Sequence, residues 1–196
     1  MAQTRNPPHD QDSDPPRTAV APQSPTSGTK PKATTPFVLR SADVREGGTI
    51  GHAQLFNGMG CSGENVSPAL EWSGAPAATK SFAVTLYDPD APTGSGWWHW
   101  VMYDIPASVS RLPAGAGDPG RQWMPGVSHG VTDFGKPGYG GPCPPAGDAP
   151  HRYLFTVHAL DVEKLEVPEG STAAFIGFNI HAHLLGRASL SARYGR

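Results

Sequence analysis

Residues Ser81–Tyr103 read SFAVTLYDPDAPTGSGWWHWVMY. Phe82, Val84 and Leu86 alternate with Ala83, Thr85 and Tyr87, the period of two that marks a strand with two distinct faces. The run breaks at Asp88-Pro89-Asp90-Ala91-Pro92, where two prolines remove ladder donors and bias the residue before each toward an extended backbone. Thr93-Gly94-Ser95-Gly96 is turn chemistry, and alternation at His99, Val101, Tyr103 and Ile105 predicts a second strand. Two strands therefore bracket a proline-stiffened loop that carries two carboxylates, with a histidine where the second strand opens.

Downstream, Tyr139–Gly147 is too rich in glycine and proline for regular structure, yet it leads into a strong strand at His151–Asp161. Both faces of that strand are largely apolar, which predicts a central position in a sheet. Upstream, Phe37-Val38-Leu39 and Ala69–Trp72 read as short strands. Gly47–Ile50 reads as a turn and strand leading to Leu55-Phe56-Asn57. The glycine-rich Gly58–Gly63 lacks the Gly-Lys-Ser/Thr ending of a phosphate-cradling P-loop. Near the end, Ser171 is the expected N-cap of a helix whose repeat is Ala174, Phe178, Ala182 and Leu185, with Gly186 stopping it. Ala188, Leu190, Ala192 and Tyr194 then alternate as a last strand. The expected fold is mainly β, a two-sheet antiparallel β-sandwich with one or two short helices near the C-terminus.

The chain has 196 residues, 24 of them glycine and 22 proline, which suits a loop-rich β protein better than a helical bundle. Residues 1–36 hold 8 of those prolines and no aromatic residue, and read as a disordered Pro-rich tail; residues 37–196 form the domain. Fifteen Lys and Arg against a net charge of −2 give no footprint for nucleic acid. No apolar run reaches the roughly 20 residues of a membrane span, and no signal peptide is visible, so a cytoplasmic location is expected.

The two loops share a form: each is stiffened by proline, rich in glycine and closed by a histidine that opens a strand. The first supplies Asp88, Asp90 and His99, the second Gly141, Pro145, His151, Arg152 and Tyr153. If their strands neighbour each other, both histidines meet at one mouth. Imidazoles, a tyrosine hydroxyl and glycine N–H groups there can donate to a small anion, with an aspartate fixing the histidine tautomer. A mouth without lysine should bind weakly and depend on pH.

These motifs, Asp88-Pro89-Asp90-Ala91-Pro92 with His99-Trp100, and Gly141–Gly147 with His151-Arg152-Tyr153, resemble the phosphatidylethanolamine-binding protein family, especially its bacterial, Raf kinase inhibitor-like branch. The resemblance covers roughly Phe37 to Tyr194. It implies two packed antiparallel sheets and a pocket for phosphate-like anions, including phosphorylated head groups. By that analogy Asp88, His99, Gly141, His151 and Tyr153 line the pocket, and Asp90, Pro92 and Pro145 shape its walls. Arg152 is a structural partner for Asp88 or Asp90, and Trp98 a structural support. The expected function is a regulatory, non-catalytic protein for a small anionic or phosphorylated ligand, with no cofactor. The alternatives are a kinase- or protease-regulating interaction module and, last, a weak hydrolase; a protein partner and a homodimer stay open.

Other residues carry blander readings. His181-x-His183 points to different sides of a helix, and no three or four ligands converge for zinc, so no metal is expected. His158 packs in mid-strand. Asp133-Phe134-Gly135 matches a kinase tripeptide only by letters. Trp97, Trp98 and Trp100 are core or wall, at least one leaning to the mouth. Cys143 admits three readings: an inert thiol, the default in a cytoplasm; a disulfide with Cys61, since both lie in glycine-rich loops; or a nucleophile with His151 as base.

Overall fold

The structure is a computed structural model that describes residues 35–121 and 124–196. All but the last two residues of the expected 1–36 tail lie outside the described residues. In chain order the strands are β1 (Val38–Arg40), β2 (Asn57–Gly58), β3 (Cys61–Ser62), β4 (Leu70–Ser73), β5 (Ser81–Asp88), β6 (Trp97–Pro106), β7 (Arg111–Leu112), β8 (Ser128–His129) and β9 (His151–Leu160). Helix α1 (Ala173–Ala182) and strand β10 (Leu184–Tyr194) complete the order.

The alternation of β5 sorts its side chains as expected. Phe82, Val84 and Leu86 enter the main core, and Ala83 faces the other way, toward α1. The named strands all pair antiparallel: β10-β9-β5-β6-β8 in one sheet, β1-β4-β7 in a second and β2-β3 as a small ribbon. Leu39, Leu70 and Trp72 of the three-stranded sheet share one core with Val84, Trp100 and Phe155 of the five-stranded sheet. The fold is thus a mainly β sandwich. Each large side chain fully buried there contributes about 1.5–3 kcal/mol, before the entropy of ordering it. Helix α1 covers the outer face of the larger sheet through Ala173, Ile176 and Ile180 against Val101 and Tyr103.

Three local expectations are corrected. In β6, two register shifts break the simple alternation: Leu86 pairs with Trp100 and Tyr87 with Trp98, so His99 is an extra residue. Asp104, with φ 61°, accompanies the second shift. Val101 and Tyr103 therefore face α1, whereas Ile105 joins the main core. In α1 the N-cap is Thr172, whose side chain accepts from Phe175 N, not Ser171. The buried stripe is Ala173, Ile176 and Ile180, while Phe178 is 72 % exposed. The segment is apolar on nearly every side, so periodicity could not select its face. Gly186 does not stop the helix; it lies within β10 at a register shift. Finally, the residues after Gly47–Ile50 form a short 3-10 turn at His52–Gln54 and only a two-residue β2.

Candidate functional site

Strand β5 lies between β6 and β9, so the strands carrying the two histidines flank it and are not neighbours. They still share a mouth, because β5 ends there in Asp88. The extra residue of β6 turns His99 to the same side as Trp100: Trp100 fills the core while His99 lines a cavity of about 240 Å³ beside it. A bulge that re-aims one side chain is a common device at sites. Asp88, His99, His151 and Tyr153 form the polar floor of this cavity. Pro92 and Pro145 stand in its walls, with Trp97 and Phe134.

The floor is tightly bonded. Asp88 is buried and accepts from Asp90 N through Oδ1 and from His151 Nδ1 through Oδ2, both at 2.8 Å. His99 Nδ1 donates to the Gly140 carbonyl at 2.7 Å. Its ring meets the edges of Phe134 and Tyr153 at 5.4 and 5.3 Å between centroids. Burial holds the His99 pKa down to about 4, against the opposing pull of the Gly140 carbonyl and the Asp88 charge. The Tyr153 hydroxyl is buried near Asp88 without a hydrogen bond of ordinary geometry to a described residue. Burial first, and then that carboxylate, push its phenol upward. A buried hydroxyl left unpaired costs about 1–3 kcal/mol, and a ligand oxygen is one way to satisfy it.

These bonds correct the expectation that neutral imidazoles donate into the mouth. Both Nδ1–H groups are committed to protein acceptors, so each neutral ring offers a lone pair at Nε2. The His151 Nε2 is 3.6 Å from Asp148 Oδ2.

Not every expected residue reaches the cavity. Gly141 stands behind the wall, its N–H donated to Asn65 Oδ1 at 2.8 Å. A Cβ there would collide with the Gln54 carbonyl oxygen, so only glycine allows this close approach of the two backbones. Asp90 faces an adjacent groove and is clamped by Arg152: Oδ2 accepts from its backbone N and Nε, and Oδ1 from its second terminal nitrogen at 2.6 Å. This bidentate pair, foremost the side-chain hydrogen bonds, lowers the Asp90 pKa to about 2. Trp98 packs on the other face against Tyr87, and Trp97 is the tryptophan that leans to the mouth.

Sequence reasoning missed several participants. Arg196 lines the cavity, its Nε donating to the Pro144 carbonyl at 2.7 Å and a terminal nitrogen to the Gly60 carbonyl at 3.0 Å. No carboxylate pairs with it among the described residues, and no periodic signal pointed to it. The Asp133-Phe134-Gly135 tripeptide also belongs here: Phe134 is wall, and Asp133 accepts from Trp98 N at 2.7 Å. Cys61 and Cys143 form a disulfide, which overturns the inert-thiol default. It also removes the thiolate that a Cys143–His151 nucleophile needs. Among the described residues, no three His, Cys, Asp or Glu side chains gather for a metal ion.

The family model for phosphatidylethanolamine-binding protein matches residues 40–195. The chain belongs to the phosphatidylethanolamine-binding protein family. It is 55% identical to the UPF0098 protein YbhB of Escherichia coli over 157 residues, 80% of this chain and 98% of that protein. It is 47% identical to the UPF0098 protein YbcL of the same organism over 159 residues, 81% of this chain and 87% of that protein. The crystal structure of YbcL, described as a new member of the mammalian PEBP family, matches with a TM-score of 0.80 and 46% identity, covering 82% of this chain and 98% of that one. Family membership carries a ligand-binding, regulatory character and this fold; the ligand is a separate question.

Proposed function

We propose that the cavity at the ends of β5, β6 and β9 binds a small phosphorylated or carboxylated ligand, and that the protein regulates through this binding without catalysing a reaction. One observation carries the reading: an Arg196 guanidinium with no carboxylate partner among the described residues stands over a floor with an unpaired Tyr153 hydroxyl. A guanidinium has five N–H groups; three face the carbonyls of Pro144, Gly60 and Met59, which leaves two for a guest. Prolines fix the walls in advance and so lower the entropy lost on binding. Met59 and Phe134 supply apolar wall beside the polar floor, which fits an anionic head with a short carbon substituent. The decisive test is a phosphoethanolamine titration followed by NMR of the histidine rings: His99 and His151 signals should move together and saturate. Unmoved signals at millimolar ligand would refute the reading.

We further propose that the protein works in an oxidising compartment, against the cytoplasmic expectation, because a disulfide persists there and is rare among reducing glutathione and thioredoxin. No described helix is long and apolar enough to cross a membrane. Alkylation of free thiols in intact cells tests this: Cys61 and Cys143 should resist alkylation, and their ready labelling would count against it.

A further inference from the structure

Met59 stands at the rim of the cavity with 67 % of its surface exposed. Its backbone lies in the left-handed region, φ 53°, between Gly58 at 143° and Gly60 at 82°. A side chain is uncommon in that region, and a thioether this exposed gains little burial in return. The loop is held from outside. Arg196 faces the carbonyls of Gly60 and Met59 at 3.0 and 3.5 Å, and the disulfide ties the chain down at Cys61. Packing therefore does not explain a methionine at this position.

The other sulfur atoms are out of play. Cys61 and Cys143 are already oxidised to a disulfide, and the described residues hold no free cysteine. Met102 is fully buried and Met124 half-buried. Among the described residues, Met59 is the exposed sulfur that an oxidant meets.

We propose that Met59 is a reversible oxidation site that controls the cavity, its sulfoxide form holding anions less tightly than its thioether form. The control rests on the anion-binding reading above; the reactivity of Met59 does not. The oxidant is a peroxide. The thioether sulfur attacks one peroxide oxygen, an S–O bond forms, the O–O bond breaks, and the second oxygen leaves as water with both hydrogens. Sulfur loses two electrons and the peroxide gains them. Two thiols reverse the step: they join as a disulfide, and the sulfoxide oxygen departs as water.

The effect on the cavity follows from the two forms of the side chain. A thioether is apolar and at most a weak acceptor, whereas a sulfoxide is polar and carries a strong one. Arg196 lines the same cavity and keeps two N–H groups free of the carbonyls of Pro144, Gly60 and Met59. The sulfoxide oxygen is an internal acceptor that competes with a guest for those donors. It also makes polar the stretch of wall against which a guest's carbon substituent would rest.

The test treats the full chain with dilute hydrogen peroxide, locates the added oxygen by peptide mass, and titrates phosphoethanolamine by calorimetry before and after. Met59 should gain one oxygen well before Met102 and Met124, and the affinity should fall at least about tenfold, the scale of losing a hydrogen bond to a charged group. A pair of methionine sulfoxide reductases, one for each epimer, should restore the affinity of a chain carried through the same reductant without peroxide. The affinity of Met59→Leu, whatever its value, should not move on peroxide treatment, and Met59→Gln, of similar length with a carbonyl acceptor, should bind as weakly as the oxidised chain. Oxygen arriving first at Met102 or Met124 overturns the site. Met59 oxidised with affinity unchanged, or an equal loss in Met59→Leu, overturns the control while leaving the anion cavity standing. Absence of phosphoethanolamine binding before oxidation overturns the anion reading and the control together, and the order of oxygen uptake still decides whether Met59 is the reactive sulfur.

Discussion

Arg196 donates from Nε to the carbonyl of Pro144 at 2.7 Å and from a terminal nitrogen to that of Gly60 at 3.0 Å, bridging the two loops that the Cys61–Cys143 disulfide also joins. The bridge holds a positive charge at the rim of a cavity whose floor is otherwise short of donors. Arg196→Gln should weaken phosphoethanolamine binding about tenfold or more, since a hydrogen bond to a charged group contributes about 1.5–3 kcal/mol. Arg196→Lys should recover part of the charge effect but not the fork that bridges both carbonyls. Calorimetry of the two variants against the natural chain checks this, and unchanged affinity in Arg196→Gln would remove the guanidinium from the site.

The disulfide closes a loop of sequence separation 82. Its effect falls mainly on the unfolded chain, where a loop of that size is worth about 4 kcal/mol of closure entropy. Intact-mass measurement without reductant should find the chain two hydrogens lighter than after reduction. The Cys61→Ser, Cys143→Ser double variant should lose up to about 4 kcal/mol in urea unfolding. Two titratable thiols in the air-oxidised protein would contradict this.

Stability should fall in acid in two stages. Burial holds His99 and His158 at about 4, below their ordinary 6.5. The unfolded chain therefore takes up these protons first as pH drops, and stability is complete above about 6.5 and declines toward about 4. Each histidine contributes up to about a tenfold loss in the folding equilibrium per pH unit in that window. Asp90, held at about 2 against 3.8 by Arg152, has the same sign at lower pH: its contribution is present above 3.8 and disappears as pH falls through about 2. Urea midpoints measured across this range check the pattern, and a flat profile between 6.5 and 4 would contradict the buried neutral histidines.

The face of α1 is testable by a pair of substitutions. Ile176 is fully buried against the five-stranded sheet, so Ile176→Ala should cost about 2–5 kcal/mol. Phe178 is 72 % exposed, and Phe178→Ala should lie within about 0.5 kcal/mol of the natural chain. Thermal unfolding of both variants decides it; the reverse order would return the buried stripe to Ala174 and Phe178.

Legibility followed periodicity. Strands β5 and β9 were readable because alternation over eight to ten residues leaves one solution, and the apolar character of both faces of His151–Leu160 marked β9 as interior. The His99 side of the site was readable only as a motif, because an inserted residue in β6 leaves no mark in composition, yet it decides which way the imidazole faces. Gly141 looked like a ligand contact in sequence, whereas its N–H is taken by Asn65, a partner 76 residues away. Arg196 and Phe134 were invisible for the same reason: their roles come from long-range placement, with no local pattern to announce them.

The most direct test of the central claim is a crystal structure of the full chain with phosphoethanolamine. The phosphate should lie in the cavity at the ends of β5, β6 and β9, within hydrogen-bond distance of His99 Nε2, the Tyr153 hydroxyl and the Arg196 guanidinium. Phosphate bound elsewhere on the surface, with this cavity closed by the protein's own side chains, would contradict it.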